Sequence, residues 1–358
     1  MMASEERDVL GSHDALPRCR ICPLALPYRG RQDLSYLPLR VRGMSASRAS
    51  TLQFAPLLSV GAHDISGVKL KIRFGYELIY STFQPTAMVL MLNAVPNASQ
   101  RLVVPDHMSS EPRVPLLTHR DVFGNTCTRV DVPAGTIRIF ADGVLEDSGE
   151  PEPAVWSARE TPIAALPPEA LMYLLPSRYC ESDTLAPEAL RLFGHLLPGW
   201  SRVQAICDYV NQQVTFGYQF ARPTKTALET YRERVGVCRD MAHLAITFCR
   251  AMSIPARYAT GYLGDIGVPP VDAPMDFAAC MEVFLDGAWH TFDPRNNTRR
   301  IGRLLIARGR DAADVAISTA FGVANLQLFR VWTDEISESR AAELQARPSL
   351  LGQRIQAA

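Results

Sequence analysis

The stretch Gly236-Val237-Cys238-Arg239-Asp240 constrains this chain more than any other, because it starts a helix and puts a cysteine in its first turn. Gly236 permits the tight turn. Met241, Ala245, Phe248, Cys249 and Met252 then recur at helical spacing, and Pro255 ends the run. Unpaired N–H groups and the helix dipole favour a thiolate at Cys238 and a carboxylate at Asp240. Cys238 is therefore a candidate nucleophile. Its alternative is a small buried hydrophobe, and placement alone leaves both readings open.

A second local signal sits downstream. Residues 277–285 and 288–292 read as strands joined by Asp286-Gly287, a two-residue hairpin turn. The turn sets the register. Glu282 should face Thr291 and Cys280 should face Asp293, so Ala278, Cys280 and Glu282 share one side with Asp293. His290 falls on the other side.

Around these signals the chain divides. No hydrophobic period lasts in residues 1–66, which read as an unstructured extension with Met44 as an alternative start. Residues 67–150 read as a β domain of sandwich type. Leu70, Ile72, Phe74, Tyr76, Leu78 and Tyr80 alternate with mostly polar neighbours, and runs at 87–94, 126–132 and 136–141 lie between Pro, Gly and Asn turns. A Pro- and Ala-rich linker at 151–165 leads to helices at 167–174, 186–196, 201–213 and 226–234. After the Cys238 helix come strands at 257–263, 277–285 and 288–292. Residues 166–335 thus form a core of helices followed by a short antiparallel sheet, an α+β pattern, with 336–358 as a tail.

Composition excludes several classes. A length of 358 residues with 47% hydrophobic residues supports a large core. Formal net charge is +0, so no nucleic acid partner is implied. No apolar run approaches membrane length, and no secretory pattern follows the polar N-terminus. Eight cysteines spread over the chain are not a disulfide scaffold, which suggests a reducing, cytoplasmic compartment. Cys19-Arg20-Ile21-Cys22 is a C-x-x-C without a second ligand pair, so neither a metal nor another cofactor is expected.

With these residues in place, the chain resembles the bacterial transglutaminase-like superfamily, whose fold is related to papain-type cysteine peptidases. The resemblance rests on Gly-Val-Cys-Arg-Asp, Ala242-His243, Ile254-Pro255-Ala256-Arg257-Tyr258, Gly261-Tyr262, Glu282-Val283 and Phe292-Asp293-Pro294, and covers roughly residues 200–300. It implies a Cys–His–Asp site that attacks an amide or peptide carbonyl and passes through a thioester, with a peptide or protein as substrate. Cys238 matches the nucleophile and Asp293 the residue that orients the histidine. The histidine should open a His-Ala-Trp-x-Glu segment, but the aligned residues are Ala278-Ala279-Cys280-Met281-Glu282. Ala278 takes the histidine position and Cys280 the tryptophan position.

That departure leaves two readings, a thiol acyltransferase or hydrolase and a catalytically impaired peptide- or cell-wall-binding module. General acid–base catalysis is worth ~10²–10⁴ in rate. His290 could substitute as the base only through a bulge that turns it toward Asp293. His243, ~140° around the helix from Cys238, is expected to pack inside or cap a polar group. Tyr218 is a candidate for lining the cleft, and Cys280 for approaching Cys238. Asp276 and Asp265 lie near the expected cleft, where a carboxylate could act as a weak base, but they read first as ordinary surface charge. The arginines from Arg299 to Arg310 read as a solvated strand edge, with an acidic ligand as the alternative.

Overall fold

The computed structural model describes residues 69–271 and 274–346. The extension at 1–66, with Cys19, Cys22 and Met44, lies outside them, as does the end of the tail. The chain opens with β1 (Leu70–Thr82), whose Ile72, Phe74, Tyr76, Leu78 and Tyr80 are all buried, as the alternation predicts. There follow β2 (Thr86–Leu90), β3 (Arg101–Val104), β4 (Ser109–Glu111), β5 (Leu116–Arg120), β6 (Thr126–Val132) and β7 (Gly135–Asp147). The helical half holds α1 (Pro168–Leu171), α2 (Ala186–Phe193), α3 (Trp200–Gln213), β8 (Thr215–Phe216), α4 (Ala227–Glu233), β9 (Val235–Gly236) and α5 (Cys238–Ala251). Then come β10 (Ala256–Tyr262), β11 (Ala278–Leu285), β12 (Ala288–Phe292), β13 (Leu304–Gly309), β14 (Ser318–Ala320), β15 (Ala324–Ile336) and α6 (Glu338–Ala346).

The strands form three antiparallel sheets and one short parallel pair. One sheet runs β15-β1-β7-β3, with β4 also on β7. A second runs β14-β2-β6-β5, and a third β12-β11-β10-β13. The two N-terminal sheets are thus completed by strands from the far end of the chain. Every residue of β1 from Lys71 to Thr82 has a partner on β15. The expected core boundary at 335 and the tail from 336 are corrected by this pairing. Residues 318–336 belong with the β layers, and Glu338–Ala346 is a helix whose Ala341 and Leu344 pack on Val144. Pairing across more than 240 residues leaves no local trace in the sequence.

α5 is the centre of the molecule. Twelve of its residues, from Arg239 to Arg250, are buried. On one side it meets Ala279, Met281 and Val283 of β11, and its core is continuous with that of β1 and β2. The Asp286-Gly287 turn closes the β11–β12 hairpin with both residues at positive φ. Glu282 opposes Thr291 and Phe284 opposes Trp289, the register expected from the turn. An edge-to-face chain of rings links the halves. Phe74 of β1 meets Tyr262 at 5.1 Å, Tyr262 meets Phe277 at 5.1 Å, and Phe277 meets Phe329 at 6.0 Å. Phe277 is thereby fixed, and with it the backbone that enters β11.

The closest backbone approach in the third sheet is at Gly261, where β10 shifts register against β13. A Cβ there would lie 2.1 Å from the Leu304 carbonyl oxygen and 2.6 Å from Leu305 Cα. Gly261→Ala is predicted to push the strands apart and cost about 1–3 kcal/mol. Urea denaturation checks this, and a loss under about 0.5 kcal/mol, the scale of an ordinary surface change, contradicts it.

Candidate active site

Each residue of the Gly236–Asp240 stretch has a distinct part in placing Cys238. Gly236 pairs with Phe216 in the parallel β8–β9 bridge. A Cβ on Gly236 would come within 2.9 Å of Asp240 Cβ and 3.0 Å of its Oδ2. Without one, Asp240 closes back over the turn, and its Oδ2 accepts the Val237 N–H at 3.0 Å. This satisfies one of the donors a helix start leaves open. Arg239 donates to Asp240 Oδ1 at 2.8 and 3.1 Å, and also to the Arg222 carbonyl. Both side chains are buried, at 3% and 0% exposure, so the cap is a desolvated ion pair rather than a surface contact. Cys238 is the first residue of the helix so formed.

Cys238 is partly exposed and carries a free thiol. It shares a cavity of about 30 Å³ with Arg239, Tyr258, Thr260, Asp276 and Ala279, enough for one water or a carbonyl group. Burial pushes the thiol up to about 11, aided by Asp276 and Asp293 and opposed by the Ala279 N–H and Arg295. The helix start therefore does not deliver a preformed thiolate. Asp276 is itself pushed up to about 7 by burial, against the pull of the Phe277 N–H and Arg295. That N–H donates to Asp276 Oδ1 at 2.7 Å. Tyr218 is not among the residues that line this cavity, and its hydroxyl is raised by burial and by Asp276 and Cys238. Arg295 lies 4.1 Å over the Phe216 ring.

Asp293 is built into a different arrangement. Its Oδ1 accepts the N–H groups of Arg295 and Asn296, and its Oδ2 accepts the Asn296 amide at 2.7 Å and Arg303 Nη2 at 2.6 Å. Burial alone would raise this carboxyl, but Arg303 and Asn296 hold it below the usual carboxylate range. α3 locks the turn from outside, through Asn211 Nδ2 on the carbonyls of Pro294 and Arg295. Both oxygens of Asp293 are thus occupied.

The remaining expected site residues separate. His290 stays on the opposite side of the hairpin from Asp293. Its Nε2 meets the Leu285 carbonyl at 3.2 Å, and its ring lies 5.5 Å from Trp200. The strand has no bulge to turn it, so His290 is not a substitute base. Cys280 is fully buried in a small cluster with Ala259 and Leu305. Burial pushes its thiol up to about 12, it is unpaired, and it does not line the Cys238 cavity. Strand alternation puts it on the face away from Ala279 and α5. His243 is buried as expected, stacked on Tyr179, with Nε2 accepting the Ala312 N–H at 3.1 Å. The arginine run is a solvated edge only at the exposed Arg299 and Arg310, the latter paired with Asp314. Arg300 and Arg303 are buried, and Arg308 pairs with Glu282. Sequence reasoning missed Arg295, whose one signal was its place two residues after Asp293; Asp276, expected near the cleft but read first as surface charge, lines the cavity.

Residues 192–294 match the family model of the transglutaminase-like superfamily. An uncharacterized protein of Mycobacterium tuberculosis is 30% identical over 219 residues, which are 55% of this chain and 69% of that one. A protein of Mycobacterium leprae is 33% identical over 98 residues, 25% of this chain and 33% of its own. Among solved structures, a candidate cysteine protease from Cytophaga hutchinsonii superposes with a TM-score of 0.65 at 29% identity, over 76% of this chain and 92% of that chain. The chain belongs to the transglutaminase-like superfamily.

The Asp293–Arg303 pair yields a stability prediction. Because the folded Asp293 carboxyl sits below its ordinary value, the pair stabilises the protein above the unfolded carboxylate range and loses its contribution as pH falls through the lowered value. Arg303→Met leaves Asp293 buried without a countercharge, held only by the N–H groups of Arg295 and Asn296. The expected loss at pH 7 is about 3–5 kcal/mol, shrinking as pH falls and Asp293 becomes protonated. Denaturation midpoints at pH 7 and pH 4 check this. A loss that is small or independent of pH contradicts it.

Proposed function

We propose that this protein is a thiol enzyme that attacks an amide or peptide bond through Cys238, forms a thioester, and passes the acyl group to an amine or water. The observation that carries the reading is the helix start itself. An entire buried device of Gly236, Arg239 and Asp240 sets one free, partly exposed cysteine against a backbone N–H in a cavity with a second titratable group. A cysteine kept only for packing needs none of this. The superfamily match and the likeness to a candidate cysteine protease support the thiol-enzyme class.

A second reading, a binding module without turnover, has its own observation. The resemblance aligns Ala278 with the family's histidine, and Asp293, which would orient that histidine, has both oxygens engaged by Arg303, Asn296 and Arg295. The two readings separate on turnover. With the p-nitrophenyl ester of an N-blocked glutamine as acyl donor and hydroxylamine as acceptor, the natural chain is expected to make hydroxamate over many cycles. Cys238→Ala should lose this by ~100-fold or more. Equal rates in the two would refute the enzyme. Turnover that appears only in Ala278→His would establish the binding form.

A further inference from the structure

The reaction needs a group to take the thiol proton and return it to the leaving amine, and neither His243 nor His290 is available. We propose that Asp276 is the proton partner of Cys238, in place of an imidazole at position 278. The inference rests on the thiol-enzyme reading of the same site.

Four observations converge on Asp276. It lines the same small cavity as Cys238. Only its Oδ1 has a hydrogen bond among the described residues, from the adjacent Phe277 N–H, which leaves Oδ2 for a proton. The next residue, Phe277, packs against Tyr262 and Phe329, which anchors the chain on the β11 side of Asp276. And its charge raises both the Cys238 thiol and the Tyr218 hydroxyl. Asp293 cannot compete for the role, because Arg303 keeps it ionised and fully bonded.

The chemistry balances with these groups alone. As the Cys238 sulfur forms a bond to the carbonyl carbon, its proton passes to the Asp276 carboxylate. The tetrahedral oxyanion collapses, the C–N bond breaks, and the amine nitrogen leaves with the proton from Asp276. Water or an amine then adds to the thioester and gives its proton to Asp276, and the C–S bond breaks as sulfur takes that proton back. A carboxyl titrating near neutrality suits both directions of transfer, since an ordinary carboxylate is a weaker base and a poorer match to a raised thiol. The charged and titratable groups around Asp276 are Cys238, Tyr218 and Arg295, with Arg239 and Tyr258 in the cavity wall.

The test is the pH profile of single-turnover acylation by p-nitrophenyl acetate, read as the nitrophenolate burst in the full chain, with Cys238→Ala as control. The natural chain is expected to rise through a step near pH 7 as Asp276 ionises, and to rise again in alkali as thiolate forms. Asp276→Asn should lose the neutral step and fall ~10²-fold at pH 8, while its alkaline limb persists and moves to lower pH, because the Asp276 charge no longer raises the thiol. Asp276→Glu should restore the step. Independently of any variant, acylation of the natural chain at pH 8 should slow in D₂O, because a proton moves with the attack. An Asp276→Asn profile that overlays the natural one, or a rate not slowed by D₂O, overturns Asp276 as the partner while leaving a thiol enzyme. No Cys238-dependent burst at any pH overturns the thiol-enzyme reading itself.

Discussion

The contact on which this site depends is the one between the Asp240 carboxylate and the Val237 N–H, made possible by the absence of a side chain on Gly236. It determines where α5 begins and therefore where Cys238 sits. Because Arg239 neutralises Asp240 inside the protein, the cap does not place an unpaired charge beside the thiol. From this start, α5 runs buried through the core, and the β10–β11 sheet lies against it. The thiol and the strand carrying Ala279 meet because both are fixed by the same core.

The two aspartates beside Cys238 show how environment divides like groups. Asp293 is buried and Asp276 partly buried, and burial pushes each toward the neutral form. Arg303 and the Asn296 amides reverse this at Asp293. At Asp276 a single N–H and a more distant Arg295 do not. One carboxylate thus becomes a structural anion that fastens the turn after β12, and the other remains able to gain and lose a proton near neutral pH. In the proposed arrangement, acid–base chemistry at this site falls to a residue two positions before Ala278.

Much of this was readable in the sequence wherever the determinant was local. The helix at Cys238, the strand with five buried alternate residues and the Asp-Gly hairpin register follow from short-range pattern, and the structure has each of them. The same hairpin parity correctly separates His290 from Asp293. What could not be read depends on long-range neighbours. Arg303 looks like one more arginine in a charged run until the fold buries it between Asp293 and Glu152. Asp276 looks like surface charge until the Cys238 helix and the ring chain close around it. The pairing of β15 with β1 joins residues at opposite ends of the chain, and no window of sequence contains both.

The central claim, that Asp276 and Cys238 share one small cavity, is most directly tested by carbon NMR of protein labelled at the aspartate carboxyl carbons. The Asp276 resonance is assigned by its loss in the Asn variant. The account predicts a titration midpoint near 7, where burial places it, and a resonance that moves when Cys238 alone is alkylated. A midpoint near the ordinary carboxylate value of about 4, unmoved by alkylation of Cys238, would contradict it.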